Sequence, residues 1–276
     1  MADPELFPGV QIHHDQGTYA VLDAGAQVLT WTPPGRQPVL WESPLARFEP
    51  GVAVRGGVPV IFPWFGAGTS GERTPAHGFA RTAAWTRASV VDDVQHNGRL
   101  EVRHTLTAEG LDSAPFEAEL TTVFGRDELR VTLTVTNPGP NPYTYEEALH
   151  TYFSVSDVAR VAIEGLDGCR YLDKVNGSTQ VQAGPVRFTG ETDRIYDHSG
   201  EVVIDDPGRG RRVEIAKEGS ADTVVWNPGA QLGRSMADVG EYHVEFVCVE
   251  AANIGGNAIT LAPGESHSLA QTIRLS

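Results

Sequence analysis

Cysteine is scarce in this chain of 276 residues: Cys169 and Cys248 are the only two. They have no metal-type spacing, and a chain of this length does not rest on a disulfide scaffold. Cys248 sits in an apolar run and reads as a small core residue. Lysine is nearly missing too, with Lys174 and Lys217 alone, so almost every cation is an arginine. No apolar run is long enough to span a bilayer. Basic charge is outweighed, 21 Lys and Arg against 36 Asp and Glu, for a formal net charge of −15. Such a chain repels phosphate backbones and anionic lipid surfaces, so neither nucleic acid nor membrane is expected as a partner. The N-terminus, Met-Ala-Asp-Pro-Glu-Leu-Phe-Pro, lacks the basic region and apolar core of a secretory leader, and the expected location is the cytoplasm. Also missing are His-x-His, His-Glu-x-x-His, Cys-x-x-Cys, Gly-x-Ser-x-Gly and the phosphate-loop glycine patterns. Glu147-Ala-Leu-His150 resembles half of a di-metal motif, with no second copy. The expectation is therefore no metal and no cofactor, which leaves acid–base chemistry if the protein is an enzyme.

What the chain does have is period-2 patterning. Segments such as Leu100–Leu106, Glu117–Phe124, Leu129–Asn137, Thr223–Trp226, His243–Glu250 and His267–Arg274 are rich in Val, Thr, Phe and Ile, as strands are. Turn signals separate them, among them Asn137-Pro-Gly-Pro and Asp206-Pro-Gly-Arg-Gly. No long segment holds a 3.6 period. A short helical turn is expected around Gly233–Gly240, with Ser235 as its N-cap. A dozen or more short strands indicate an all-β fold, a large sandwich or barrel with few short helices, in one domain over residues 1–276.

Three stretches could carry chemistry. Arg55-Gly-Gly-Val-Pro-Val-Ile-Phe-Pro-Trp-Phe-Gly66 is followed by His77-Gly-Phe-Ala-Arg81. Pro59 and Pro63 exclude a helix or a central strand, and the loop from Glu42 to Arg81 is long for a compact domain. A stiff aromatic loop flanked by cations fits the wall of a small-molecule site; it equally fits an ordinary buried loop. In Tyr143–Phe153, His150 shares an extended face with Glu146, Ala148 and Tyr152. A lone histidine among aromatics is more often a satisfied core residue. In Tyr242–Asn253, Glu250 continues the face of Val244, Phe246 and Cys248, where a carboxylate is costly to bury without a partner. Alternatively the strand ends there and Glu250 reaches water.

Taken in order, these stretches resemble the aldose 1-epimerase (mutarotase) superfamily, and more closely its hexose-6-phosphate branch. Further pieces are Gly165-Leu166, Tyr171-Leu-Asp-Lys174, Asp193-Arg-Ile-Tyr196, Asp222-Thr-Val-Val-Trp-Asn-Pro228, Glu250-Ala-Ala-Asn-Ile254 and Leu261-Ala-Pro-Gly264. Each is weak alone; the ordered set is specific, and it runs from about Leu40 to the C-terminus. The resemblance implies a large antiparallel β-sandwich, the galactose mutarotase-like supersandwich, and a sugar phosphate as substrate; a monomer is expected. It places His150 as general acid and Glu250 as general base. It makes His77 a sugar contact, and Asp193 a carboxylate that binds a hydroxyl or orients the acid. Arg55 and Arg81 take an anion, with Lys174 as a further addition. Glu146 has no counterpart in that pattern. Anomerisation needs one proton delivered to the ring oxygen and one removed from the anomeric hydroxyl. One acid and one base on opposite sides of the C1–O5 unit suffice. The alternatives are the same chemistry on free aldoses, a non-catalytic carbohydrate-binding sandwich, and, more distantly, a glycoside hydrolase, whose carboxylate pair would have to join Glu250 to Asp193 or Glu146.

Overall fold

The computed structural model describes residues 8–14, 17–109 and 114–276. The first seven residues of the N-terminal segment read above lie outside the described residues. Strands dominate, and every strand pair is antiparallel. Arg99–Thr107, Glu117–Phe124 and Glu128–Thr136 bury alternate residues, as a sheet with one face toward water requires. They belong to an eight-stranded sheet that runs through Ser266–Leu275 and Arg211–Glu218 to Val202–Asp206 and Ala162–Glu164, with Thr86–Asp93 at the far edge.

The second eight-stranded sheet carries Asp193 and Glu250. Its order is Ser178–Val181, Arg170–Asp173, Thr192–Asp197, Asp222–Asn227, Phe246–Asn253, Glu147–Leu149 and Val60–Ile61, and Tyr152–Ser154 also pairs with Phe246–Asn253. The inner faces of both sheets share one core, with Leu149, Phe153, Val247 and Val249 from this sheet and Leu120, Leu133, Leu269 and Ile273 from the other. Burial of each such side chain contributes about 1.5–3 kcal/mol.

Phe246–Asn253 is buried at every position. Its outer face is covered as well, by Trp41, Tyr152 and Val239 around Phe246 and Cys248. The long loop supplies part of that cover. Within it Val60–Ile61 adds an edge strand against Ala148 and Leu149, consistent with flanking prolines that cannot sit in a central strand. Gly57 (φ 62°) fits there because a Cβ would lie 2.0 Å from the Val28 carbonyl oxygen.

Two local expectations are corrected. The helix is Gly229–Ser235, so Ser235 ends it; its hydroxyl donates back to the Leu232 carbonyl at 2.7 Å. The strand expected from His243 begins at Phe246, because Gly240–Glu245 forms a 3₁₀ turn and leaves Val244 exposed. No helix among the described residues is long and apolar enough to cross a membrane.

Candidate active site

Strand register assembles the site. Leu149 pairs with Ala251 and Tyr152 with Cys248, so His150 falls opposite Glu250. Glu250 in turn faces Val224, and Val224 faces Ile195. The adjacent row runs Tyr152, Cys248, Trp226, Asp193, and the Lys174 amide extends it by donating to the Asp193 carbonyl at 2.8 Å. Side chains two apart on a strand share a face, so both rows project outward beneath the long loop. From above, that loop adds Arg55, Phe65, His77 and Arg81. Together these groups enclose a cavity of about 230 Å³ that all seven residues singled out in the sequence line: Arg55, His77, Arg81, His150, Lys174, Asp193 and Glu250. Trp226, Val224, Phe65 and Met236 supply apolar wall.

His150 Nε2 lies 3.4 Å from Oε1 of Glu250. Glu250 is 1% exposed, and neither of its carboxylate oxygens has a hydrogen-bond partner among the described residues. Burial pushes the Glu250 carboxyl well above its usual range, aided by Asp193 and opposed by Lys174 and Arg81. Burial pushes His150 well below its usual range, with His77, Arg81 and Arg55 adding to the effect. Both shifts favour the uncharged pair, as expected for an ion pair taken out of water without other hydrogen bonds. The direction of both shifts places the shared proton on Glu250 in preference to His150. The two groups stand side by side on one wall, not on opposite sides of the space a sugar would fill, because cross-strand neighbours must face the same way.

The remaining side chains are held firmly. His150 stacks on Tyr152, with ring centroids 4.9 Å apart and an interplanar angle of 9°. Arg55 donates from Nη1 to the Tyr152 hydroxyl at 2.7 Å and from Nε to Asp238 Oδ2 at 3.0 Å. Lys174 pairs with Asp193 at 3.2 Å. Arg81 has no carboxylate partner among the described residues; its Nη2 donates to the Ala76 carbonyl at 2.7 Å. His77 adopts φ 66°, in the left-handed region. Its Nδ1 accepts from the Gly66 amide at 3.3 Å, which leaves the proton of the neutral ring on Nε2. Burial, with Arg81, Lys174 and Arg55 nearby, pushes His77 down to about 3, so this neutral donor form holds at physiological pH. Gly78 follows because a Cβ there would lie 2.1 Å from the Phe62 carbonyl oxygen.

Sequence reasoning gave no site role to Tyr152, Trp226, Met236 and Asp238. Tyr152 had a usable signal, since it lies two residues from His150 on the same extended face; Trp226 had none, because its cavity-facing neighbour Val224 is identified only by the fold. Asp238 had none, because only the fold brings it to Arg55.

Comparison with known proteins follows the same line. The family model described as Aldose 1-epimerase matches residues 8–274. A protein of Escherichia coli (strain K12) named "Putative glucose-6-phosphate 1-epimerase" is 34% identical over 271 residues, 97% of this chain and 90% of that protein. A crystal structure from Salmonella typhimurium, described as a putative mutarotase, superposes with a TM-score of 0.89 at 30% identity, covering 98% of this chain and 90% of that one. A galactose mutarotase-like protein from Lactobacillus casei shares the fold at 15% identity, with a TM-score of 0.71 over 97% of this chain and 100% of its own.

Proposed function

The chain belongs to the aldose 1-epimerase family, and we propose that it interconverts the α and β anomers of a hexose 6-phosphate, glucose 6-phosphate foremost. The observation that carries the substrate class is Arg81, a guanidinium without a carboxylate partner among the described residues that shares one cavity with the His150–Glu250 pair. In a chain of net charge −15 an unpaired, inward-facing arginine is a specific provision for an anion. Its planar fork matches two phosphate oxygens at once. Arg55, already anchored by Tyr152 and Asp238, keeps further N–H donors for the same phosphate.

The acid–base steps balance within the pair. Glu250 passes its proton to His150. The imidazolium then protonates the ring oxygen O5 while the Glu250 carboxylate removes the proton from the anomeric hydroxyl. The C1–O5 bond breaks, the aldehyde forms, and His150 is neutral with Glu250 protonated once more. Rotation about C1–C2 presents the other face of the carbonyl. Closure runs the transfers backward, with Glu250 returning its proton to O1 and His150 taking one from the C5 hydroxyl. General acid–base transfer of this kind contributes about 10²–10⁴-fold. The His77 Nε2–H donates to a sugar oxygen, and Asp193 accepts from a hydroxyl.

The test is anomer exchange by NMR on glucose 6-phosphate and on glucose, for the wild type and for Arg81→Ala. A charge-assisted hydrogen bond contributes about 1.5–3 kcal/mol. The wild type is expected to favour the phosphate, and the variant to lose about 10–100-fold of that preference. A wild-type preference for free glucose, or an unchanged ratio in the variant, would overturn the phosphate assignment and leave a mutarotase of free aldoses.

A further inference from the structure

Two cavities adjoin on the outer face of the sheet. Beside the site described above lies a larger one of about 460 Å³, bordered by Ile195, Asp197, Asp222 and Leu172, which project from strands of the same sheet, and by Ile254 just beyond the strand of Glu250. Phe65 lines both. Its ring meets the His77 ring edge-on, centroids 4.7 Å apart, and the Lys174 ammonium lies 5.3 Å from its centroid. This one side chain therefore stands between the two spaces and touches two residues of the first.

The backbone of Phe65 is fixed by Glu146. This carboxylate is buried, 7% exposed. Oε2 accepts the Phe65 amide at 2.9 Å, and Oε1 accepts the Gly255 amide at 2.7 Å. The Glu146 amide itself donates to Pro63 at 3.0 Å. One side chain thus ties the covering loop to the turn that follows the strand of Glu250. Two charge-assisted bonds to backbone amides are a strong anchor for a buried carboxylate.

We propose that Phe65 is the size-determining wall of the sugar site and that Glu146 is the positioning residue that holds it, so that the cavity admits a single hexose unit and excludes a second sugar ring. The identity of the ligand rests on the function proposed above; the wall itself rests on the two adjoining cavities. Removing the ring joins the 230 Å³ and 460 Å³ spaces, and the joined space has room for the second ring of a disaccharide phosphate.

The probes are glucose 6-phosphate and maltose 6-phosphate, a disaccharide with a free reducing end that carries its phosphate on that same reducing ring. Binding by titration calorimetry and anomer exchange are both measured. Wild type is expected to favour the smaller sugar. Phe65→Ala should cut that discrimination by about tenfold or more, the lower end of what pocket size delivers. Glu146→Ala should move it in the same direction and act more on KM than on kcat, since Glu146 does not touch the reacting pair. Glu146→Gln, which keeps one acceptor oxygen, should recover part of the discrimination. Unchanged discrimination in Phe65→Ala, with a thermal midpoint showing that the variant is folded, overturns the wall. So does equal binding of both sugars by the wild type. Binding with the expected discrimination but without faster anomer exchange would sink the catalytic reading and leave the wall standing. Loss of discrimination in Phe65→Ala but not in Glu146→Ala overturns the positioning role alone.

Discussion

Glu147 and Glu250 lie on paired strands, each within reach of a histidine, and face opposite sides of one sheet. Glu147 points inward. Its Oε1 accepts from Asn253 Nδ2 at 2.8 Å and lies 3.1 Å from Nε2 of His267, which the other sheet supplies. That hydrogen bond pushes His267 above its usual range, against burial. Glu250 points outward into the cavity, has no hydrogen-bond partner among the described residues, and faces a histidine pushed well down. The residue types are the same and both glutamates are buried. The difference is support. The inner carboxylate is anchored through Oε1 and joins two sheets, which is a structural use, with Oε2 alone unpartnered among the described residues, where both oxygens of Glu250 are. The outer one is left unsatisfied at a cost of about 1–3 kcal/mol, an arrangement that makes sense where a ligand completes it.

The largest expected effect tests that distinction directly. Glu250→Gln should lower kcat/KM for anomer exchange by about 10²–10⁴-fold, while the folded state holds or gains stability, since the change removes an unsupported acid. Glu147→Ala should do the reverse. Stability should fall by about 1–3 kcal/mol in urea unfolding because the Asn253 amide loses a buried acceptor, with exchange by the folded enzyme within a few-fold of wild type. Similar activity losses in the two variants would break the comparison.

The histidines sharpen it through pH. His267 binds its proton more tightly when folded, so its contribution to stability is complete below about pH 6.5, the unfolded value, and is lost as pH rises through the folded one. His150 binds its proton less tightly when folded, so its share of stability is present above about pH 6.5 and is lost as pH falls toward its folded value. His267→Gln should therefore flatten the alkaline side of the stability profile, and His150→Gln the acid side. Each slope is at most about 1.4 kcal/mol per pH unit. Urea midpoints measured between pH 5 and 8 decide it, and two variants that tilt the profile the same way would refute the opposed assignments.

The frame was legible where water touches one face of a strand. Glu117–Phe124 alternates and folds over those same residues. Glu147–Leu149 and Tyr152–Ser154 did not read as separate strands, because all six residues are buried and carry no alternation. Arg170–Asp173 and Thr192–Asp197 went unnoticed for a different reason: they are short and mix charge with apolar side chains. These four strands position His150, Tyr152, Asp193 and Lys174, so the site residues came from the ordered motifs and not from periodicity. The order of the motifs carried no information on separation. It left His150 and Glu250 on opposite sides of a sugar, where register sets them side by side. Asp238 and Glu146 are the clearest losses. Their partners, Arg55 and the amides of Phe65 and Gly255, are distant in sequence for Asp238 and backbone groups for Glu146, so no local pattern names them.

The smallest expected effect asks how far the support of the outer pair extends. Tyr152 lies two residues beyond His150, stacks on its ring, and accepts a hydrogen bond from Arg55. Tyr152→Phe keeps the stack and removes the acceptor. Arg55 retains Asp238, so its guanidinium stays near the cavity with one fewer restraint. A single such bond is worth about 0.5–1.5 kcal/mol net, which corresponds to a rise of about 2–10-fold in KM for glucose 6-phosphate, with kcat nearly unchanged because the stacked imidazole keeps its place. Steady-state kinetics on the phosphate and the free sugar separate the outcomes. A fall in kcat with KM unchanged would mean that the hydroxyl acts on the reacting pair itself, and that the outer pair is supported after all, through Tyr152.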